Sequence, residues 1–144
     1  MTRRPAVPPA FTLAEIVLVV TIVGLISLLV VGRVTRYLDR IATRTAVAEA
    51  ALLVARARDE AIAQHAVVSL RVDTATGTIS LQARGERLAL HTLGHELGVT
   101  LATTRDSIAF DVRGLGYGPA NMTLVARRGA AADTMVVSRL GRTR

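Results

Sequence analysis

The chain of 144 residues contains no cysteine, no tryptophan and no lysine. Without cysteine it can form neither disulfides nor thiolate metal sites, and thiol catalysis is excluded. Its aromatic content of 3% is too low for a platform on which single-stranded nucleic acid would stack. An extracytoplasmic domain of this chain must therefore be held together by packing alone.

All 18 basic residues are arginines, and with 11 acidic residues they give a net charge of +7. A basic balance of this size fits contact with anionic lipid headgroups, nucleic acid or acidic proteins, and does not choose among them. A chain without lysine is also what a biased genome composition produces. The arginines alone therefore do not identify a ligand.

The segment from Phe11 to Gly32 is apolar almost throughout and contains one acidic residue, Glu15. As a helix it reaches roughly 33 Å, about the thickness of the hydrocarbon core of a bilayer. A carboxylate in such a segment is costly in lipid, so Glu15 requires a partner charge or a position at the headgroups. We predict a transmembrane helix over about residues 11–32.

A processing motif lies at the start of this segment. Residues 1–10 hold two arginines and three prolines and read as a leader, because proline cannot extend the helix backwards. The sequence Ala10-Phe11-Thr12-Leu13-Ala14-Glu15 resembles the prepilin-peptidase site of type IV pilins and type II secretion pseudopilins. The resemblance implies cleavage between Ala10 and Phe11 and methylation of the new amino terminus. Alanine at position 10 departs from the glycine usual in the family, which leaves slower or absent processing open.

The same resemblance implies a role for Glu15 in assembly. The positive amine created on Phe11 could pair with Glu15 of a neighbouring subunit. A low dielectric strengthens a matched pair and penalises an unmatched one, so the pair would fix the axial register of the subunits. The alternative is that Glu15 merely lies near a helix N-terminus, where the macrodipole favours an acid.

The helix is predicted to continue beyond the membrane as an amphipathic helix. Apolar and small residues recur at steps of three and four, which is typical of one helix face. These residues are Val34, Leu38, Ile41, Thr45, Ala48, Leu52, Ala55 and Ile62. No proline or glycine interrupts the pattern, so we predict one helix from Thr12 to Gln64 whose outer half lays one face on the following domain.

After His65 the hydrophobic period falls to two, which is typical of β-strands. Residues 67–72 and 78–83 flank a turn and predict a hairpin. Further short strands are expected at residues 87–93, 99–103, 107–112, 122–126 and 134–137. The sequence thus predicts an α+β fold, in which a long helix over residues 11–64 packs on an antiparallel β-sheet domain at residues 65–144.

The second half also resembles one branch of the pilin-like family. Similarity to H-type minor pseudopilins and FimT-type minor pilins is found at Ala55-Arg56, Glu60-Ala61-Ile62, Ile108-Ala109-Phe110 and Ser138 to Arg142. The resemblance implies a pilin-like fold and a single-pass inner-membrane protein whose C-terminal domain is periplasmic. It implies as partners other pseudopilins or minor pilins, the prepilin peptidase and inner-membrane lipid.

The orientation depends on this resemblance. Two arginines precede the span, whereas four follow it closely, at positions 33, 36, 40 and 44. By the positive-inside rule alone, this count would place the C-terminal domain on the cytoplasmic side, which is the reverse of the orientation that the resemblance implies.

Positive charge is concentrated at the C-terminus, where Arg127, Arg128, Arg139, Arg142 and Arg144 face Asp133 alone. Phosphate contacts by such a segment would be independent of sequence and weakened by salt. Because FimT-type pilins are associated with DNA uptake, the resemblance implies Arg139, Arg142 and Arg144 as candidate nucleic-acid contacts. The alternative is a solvated tail without a ligand.

Motifs for catalysis or metal binding are weak. His91 and His95 are four residues apart, but strand and glycine turn are expected there, and the pattern is not H-E-x-x-H. The Gly114–Gly118 loop lacks the lysine and the helix of a phosphate cradle. No serine stands in a G-x-S-x-G turn. We predict that the chain is not an enzyme and uses neither a metal nor a cofactor.

Three functions follow from these observations. The first is a minor pseudopilin of the H type, a structural subunit of the short pseudopilus that pushes substrates in type II secretion. The second is a FimT-like minor type IV pilin that captures DNA through its C-terminal arginines. The third is an unprocessed, membrane-anchored β domain, which applies if Ala10 blocks cleavage.

Overall fold

A computed structural model describes residues 11–117, 121–138 and 141–144. A single long helix comes first, and short strands with one further short helix follow it. The elements are α1 Leu13–Ala63, β1 Val68–Asp73, β2 Thr78–Ala83, β3 Glu86–His91, α2 Leu93–Leu97, β4 Thr100–Thr103, β5 Ser107–Phe110, β6 Gly116–Tyr117, β7 Met122–Arg128 and β8 Ala131–Val137. Helix α1 differs from the predicted range of 12–64 by one residue at each end.

The chain divides into two units after Thr35. In the first unit, residues 11–35 are helical from Leu13 onward, and all of their side chains are exposed. The second unit, Arg36–Arg144, contains the rest of α1, all the strands and the hydrophobic core.

Helix α1 ends at a left-handed residue that is not glycine. His65 has a φ of 48°. Its N–H donates to the carbonyl of Ile62, and the N–H of Ala66 donates to the carbonyl of Ala61, both at 3.3 Å. This pair of bonds is the Schellman motif, which satisfies the last carbonyls of a helix and redirects the chain. The first strand begins directly after it.

The strands form two antiparallel sheets. One has five strands in the order β3-β2-β1-β5-β6, and the other has three in the order β4-β7-β8. In the centre of the larger sheet Leu70 pairs with Leu81 on one side and with Ile108 on the other. The predicted strands are present, but the expectation of one sheet was wrong, because β4 pairs with β7 and not with its neighbours in sequence.

The core lies between the second half of α1 and both sheets. The buried residues of the helix are mostly alanines, namely Ala42, Ala46, Ala50, Ala57 and Ala61, with Thr43, Leu53 and Val54. The helix alanines, Leu53 and Val54 belong to the same core cluster as side chains of both sheets. The sheets supply the larger apolar side chains, among them Leu70, Leu81, Phe110 and Leu124, all 1% exposed or less.

The predicted packing face of α1 was therefore wrong. The larger apolar residues that defined the predicted stripe are exposed, from 43% for Ile41 and Ile62 to 50% for Leu38 and 69% for Leu52. This stripe was predicted because it contains large apolar side chains at helical spacing. The face that contains Ala46, Ala50 and Ala57, together with Leu53 and Val54, packs in the core instead.

Helix α2 and strand β6 were not predicted. The expected strand at 87–93 ends at His91, and Leu93 starts a short helix that stops at Gly98 in a left-handed conformation. Gly94 in this helix packs against the turn of the β1–β2 hairpin, where its N–H donates to the carbonyl of Gly77 at 2.9 Å. The side chain of Leu93 is thereby fully buried.

Candidate functional site

The predicted processing and assembly residues lie at the start of α1. Phe11 precedes the helix and is 81% exposed, whereas Ala10 lies outside the described residues. Glu15 is in the first helical turn. Its Oε2 accepts a hydrogen bond from the backbone N–H of Thr12 at 3.0 Å and another from the Thr12 hydroxyl at 3.1 Å.

These contacts form a capping box. The backbone N–H of Glu15 donates in return to the Thr12 hydroxyl oxygen at 3.3 Å. A Thr-x-x-Glu sequence at a helix start satisfies two backbone donors reciprocally, and Thr12-Leu13-Ala14-Glu15 is the sequence signal for it. In the described arrangement Glu15 therefore has a local partner. Thr12 holds its carboxylate close to the backbone position where cleavage would create an amine.

The first part of α1 has the length and composition of a membrane span. Within the described part of the chain, α1 is the one helix long and apolar enough to cross a bilayer, with a mean hydropathy of 2.8 in its most apolar window and none of that window buried. Its exposed side chains are almost all large and apolar from Leu13 to Val31. Such a surface requires lipid or other helices around it.

The C-terminal residues pair with strand β8. The backbone N–H of Val136 donates to the carbonyl of Arg144 at 2.8 Å, and the N–H of Arg144 donates to the carbonyl of Val136 at 2.9 Å. The N–H of Ser138 donates to the carbonyl of Arg142 at 2.7 Å, and the Ser138 hydroxyl accepts from the N–H of Arg142. The backbone of this segment is thus fixed while the side chains of Arg142 and Arg144 are exposed.

A groove of about 530 Å³ lies between this segment and helix α1. Residues 51–62 of the helix form one wall and Gly141, Arg142 and Thr143 form the other. Arg58 and Arg142 bring two positive charges to it, and Asp59 brings one negative charge. The structure therefore adds Arg58 to the predicted cationic residues, and Arg139 lies outside the described part.

The predicted tail arginines do not all converge. Arg128 lies at the far end of β7, where its Nε is 3.2 Å from Oδ1 of Asp39. Arg127 next to it is exposed on the same strand. Of the C-terminal arginines in the described part of the chain, only Arg142 lines the groove together with Arg58.

The two histidines lie on different elements. His91 ends strand β3, and His95 belongs to helix α2, where a glycine turn was expected. Among the described residues no group of three His, Cys, Asp or Glu side chains is placed to hold a metal ion. The loop at Gly114 has a packing role, because a Cβ there would lie 2.9 Å from Cγ of Arg58 and 2.8 Å from Cδ1 of Ile62.

Comparison with known families decides what this arrangement belongs to. A family model described as type II transport protein GspH matches residues 46–141, about two thirds of the chain. The chain belongs to the GspH family. No curated protein sequence matches it significantly.

Solved structures of minor pilins and pseudopilins share the fold of this GspH-family chain. The type IV minor pilin FimU of Pseudomonas aeruginosa is 19% identical, with a TM-score of 0.61, and the match covers 75% of this chain and 90% of that one. The minor pseudopilin EpsH from the type 2 secretion system of Vibrio cholerae is 14% identical, with a TM-score of 0.58, over 71% of this chain and 94% of that one.

The predicted fold and family are therefore confirmed. The GspH-family chain has the pilin-like architecture of a long helix packed on an antiparallel β-sheet domain. Its role is that of a minor pseudopilin, a structural subunit that assembles with other pseudopilins or pilins. The apolar first half of α1 fits anchoring in the inner membrane.

Proposed function

We propose that this GspH-family chain acts as a non-catalytic minor subunit of the type II secretion pseudopilus, anchored by residues 11–32 with its β domain in the periplasm. A membrane peptidase cuts between Ala10 and Phe11 and methylates the new amine. The observation that carries the proposal is the arrangement of Thr12 and Glu15, which holds an acidic side chain at the start of an exposed apolar helix.

Glu15 has two successive partners in this proposal. Before assembly its carboxylate accepts from Thr12, which lowers the cost of keeping a charge at the edge of the apolar segment. In the filament, the amine on Phe11 of a neighbouring subunit replaces part of these hydrogen bonds to Glu15 with an ion pair. Among tightly packed apolar helices the pair is strong, and a register that leaves it unmatched is strongly disfavoured.

The exposed stripe on the second half of α1 supports the same function. Leu38, Ile41 and Leu52 lie away from the buried alanine face of α1 and remain at least 43% exposed. A soluble monomer gains nothing from such a stripe, whereas a helix that packs against neighbouring subunits buries it.

A pair of substitutions at Glu15 tests the assembly role. Glutamine can still accept the bonds from Thr12 but carries no charge, so Glu15→Gln separates ion pairing from capping. We expect Glu15→Gln to lose most of its incorporation into the pseudopilus, measured as the fraction that co-purifies with the other pseudopilins. Thr12→Ala, which keeps the charge, should retain most of it. Normal incorporation of Glu15→Gln would contradict the proposal.

Processing is tested separately by intact mass. The chain isolated from cells that contain the peptidase should begin at Phe11 and carry one additional methyl group. A chain that retains residues 1–10 under those conditions would favour the unprocessed, membrane-anchored β domain.

A second candidate function is DNA binding by the C-terminal arginines. The observation that favours it is the groove in which Arg142 lies together with Arg58, beside a backbone fixed to β8. Charges on an ordered backbone lose less conformational entropy on binding phosphate than charges on a free tail.

A gel shift with duplex DNA tests this candidate. Replacement of Arg139, Arg142 and Arg144 by alanine should abolish most of the affinity seen at about 50 mM salt, and added salt should weaken the wild type. Replacement of Arg71, Arg87 and Arg105 removes the same charge elsewhere and should have a small effect. No binding by the wild type at low salt would eliminate DNA as a ligand.

A further inference from the structure

A second groove, of about 310 Å³, lies between helix α1 and the connection from β3 to α2. Four of its lining residues come from one side of α1, and two come from the end of β3 and from α2. They are Glu49, Leu52, Leu53, Arg56, His91 and Glu96. All six belong to the second unit of the chain. We call this site the acidic groove.

Hydrogen bonds hold the β3–α2 side of the acidic groove in place. The N–H of Gly94 donates to the carbonyl of Gly77 at 2.9 Å, and the side chain of Leu93 is fully buried. The Thr92 hydroxyl donates to Oε1 of Glu96 at 2.6 Å. This bond orients the carboxylate and leaves Oε2 able to accept from a ligand.

The acidic groove carries an excess of negative charge in a chain whose net charge is +7. Its one arginine, Arg56, has Glu60 as a local partner, with Nε 3.9 Å from Oε1. Within the described part of the chain, Glu49 and Glu96 are in no ion pair. Both carboxylates are thus available to a cation, beside the apolar side chain of Leu52, which is 69% exposed.

An arginine or lysine side chain matches this lining. Its aliphatic stem can lie along leucine while its charged end reaches a carboxylate. An acidic side chain would be repelled by Glu49 and Glu96. Charge complementarity therefore selects a basic side chain as the occupant of the acidic groove.

Another side of helix α1 carries the opposite charge. Positions 49, 52, 53 and 56 share one side of the helix, and positions 51, 55, 58 and 62 share another. The second set lines the groove of about 530 Å³, where Arg58 and Arg142 outnumber Asp59. Subunits that repeat in one direction form heterologous contacts, in which two different surfaces meet. Sides of unlike charge suit such a contact.

We propose that the acidic groove receives an arginine or lysine side chain of a neighbouring subunit in the pseudopilus. This inference rests on the proposed function, and it names the chemistry that the neighbour presents. The leucines exclude water around the stem of the incoming side chain, and Glu49 and Glu96 pair with its charge.

Photo-cross-linking from within the groove tests the proposal on the full-length chain in cells that assemble the pseudopilus. p-Benzoylphenylalanine replaces Leu52, which lines the groove and is exposed. We expect a cross-link to another pseudopilin, in a peptide that contains arginine or lysine. E49Q/E96Q should lower the yield of this cross-link on the order of fivefold, equivalent to about 1 kcal/mol for two partly exposed ion pairs.

A matched control removes the same charge elsewhere. E86Q/D106N changes two exposed acidic residues that do not line the groove and should keep the yield of the cross-link. An unchanged yield in E49Q/E96Q would show that these carboxylates do not hold the neighbour. An equal loss in both double variants would show that net charge alone acts, which also overturns the proposal.

Two further results separate this inference from the proposed function. If position 52 gives no cross-link to a pseudopilin while Glu15→Gln loses incorporation as expected, the groove has no such occupant and the proposed function stands. If E49Q/E96Q does not fold, the single variant E96Q decides, because Glu96 is exposed and glutamine can still accept from Thr92. An unchanged yield in E96Q then contradicts the proposal.

Discussion

Arg128 joins helix α1 to the strands through Asp39. The guanidinium Nε lies 3.2 Å from Oδ1 of Asp39, and Nη1 of the same group donates to the carbonyl of Leu97 at 2.7 Å. One side chain therefore connects the helix, the end of α2 and the turn after β7. Gly129 follows in that turn, and a Cβ there would lie 2.5 Å from Oδ2 of Asp39. The helix and the turn are in close contact at this point.

Arg128→Gln should destabilise the β domain. The substitution removes the ion pair and the bond to Leu97, but the arginine side chain is 41% exposed, so solvent screens part of the effect. We expect a loss of about 1–2 kcal/mol in the free energy of unfolding, measured by denaturant titration of the protein in detergent. Arg127→Gln is the control, because Arg127 is exposed on the same strand. An equal loss of stability in Arg127→Gln would mean that the positive charge alone, and not the contacts of Arg128 with Asp39 and Leu97, stabilises the domain.

Gly77→Ala should cost more stability than Gly85→Ala. Both glycines have positive φ, at 66° and 85°, so alanine is strained by roughly 1–2 kcal/mol at either position. Only Gly77 has a backbone neighbour, since its added Cβ would lie 2.7 Å from Cα of Gly94, whereas Gly85 faces open space. Overpacking should add about 1–3 kcal/mol for Gly77→Ala. Equal unfolding free energies for the two variants would show that α2 can move away from the hairpin turn without a loss of stability.

The sequence could predict what depends on hydrophobic periodicity and chain composition. The apolar run and the pattern at steps of three and four that follows it predicted α1, and the period of two on each side of Gly77 predicted the β1–β2 hairpin. Both are local properties, because the residues that determine them lie within one element. The length and apolar content from which we predict a membrane segment are likewise local properties.

Features that depend on distant contacts could not be predicted in this way. Ala46, Leu53 and Ala57 are buried in the core whereas Leu52 is 69% exposed, and which face of α1 is buried depends on strands that are distant in sequence. The division into two sheets depends on the pairing of β4 with β7, which are far apart in sequence. Arg58 joined the candidate groove only when the fold placed Gly141 and Arg142 beside α1.

Acid should loosen the loop that follows β5. The pKa of Asp111 is lowered because the backbone N–H of Leu115 donates to its carboxylate, with further bonds from the side chain and backbone of Arg113. A carboxyl whose pKa is lower in the folded state contributes stability above its unfolded pKa and loses that contribution as the pH falls through its folded pKa. The contribution should thus decline below about pH 4.

Asp111→Asn provides the measurement for this prediction. The variant should be less stable than the wild type at neutral pH, and the difference should shrink as the pH falls below about 4. Unfolding midpoints across this pH range give the comparison. If the stability difference between Asp111→Asn and the wild type stays constant with pH, the ionisation of Asp111 does not stabilise the loop.

Gly141→Ala should release the C-terminal segment from strand β8. Gly141 has a φ of 76°, and a Cβ there would lie 2.9 Å from Cε1 of the fully buried Phe110, so alanine is strained and also collides with the core. Because Phe110 is fully buried in the core, we expect the C-terminal segment to shift instead and the backbone bonds between Val136 and Arg144 to open. Hydrogen exchange at the amide of Arg144 should be clearly faster, on the order of fivefold for each 1 kcal/mol lost. Unchanged exchange would mean that the pairing survives the collision. Gly85→Ala, which is strained but far from the tail in sequence and faces open space, should leave this exchange rate as it is in the wild type.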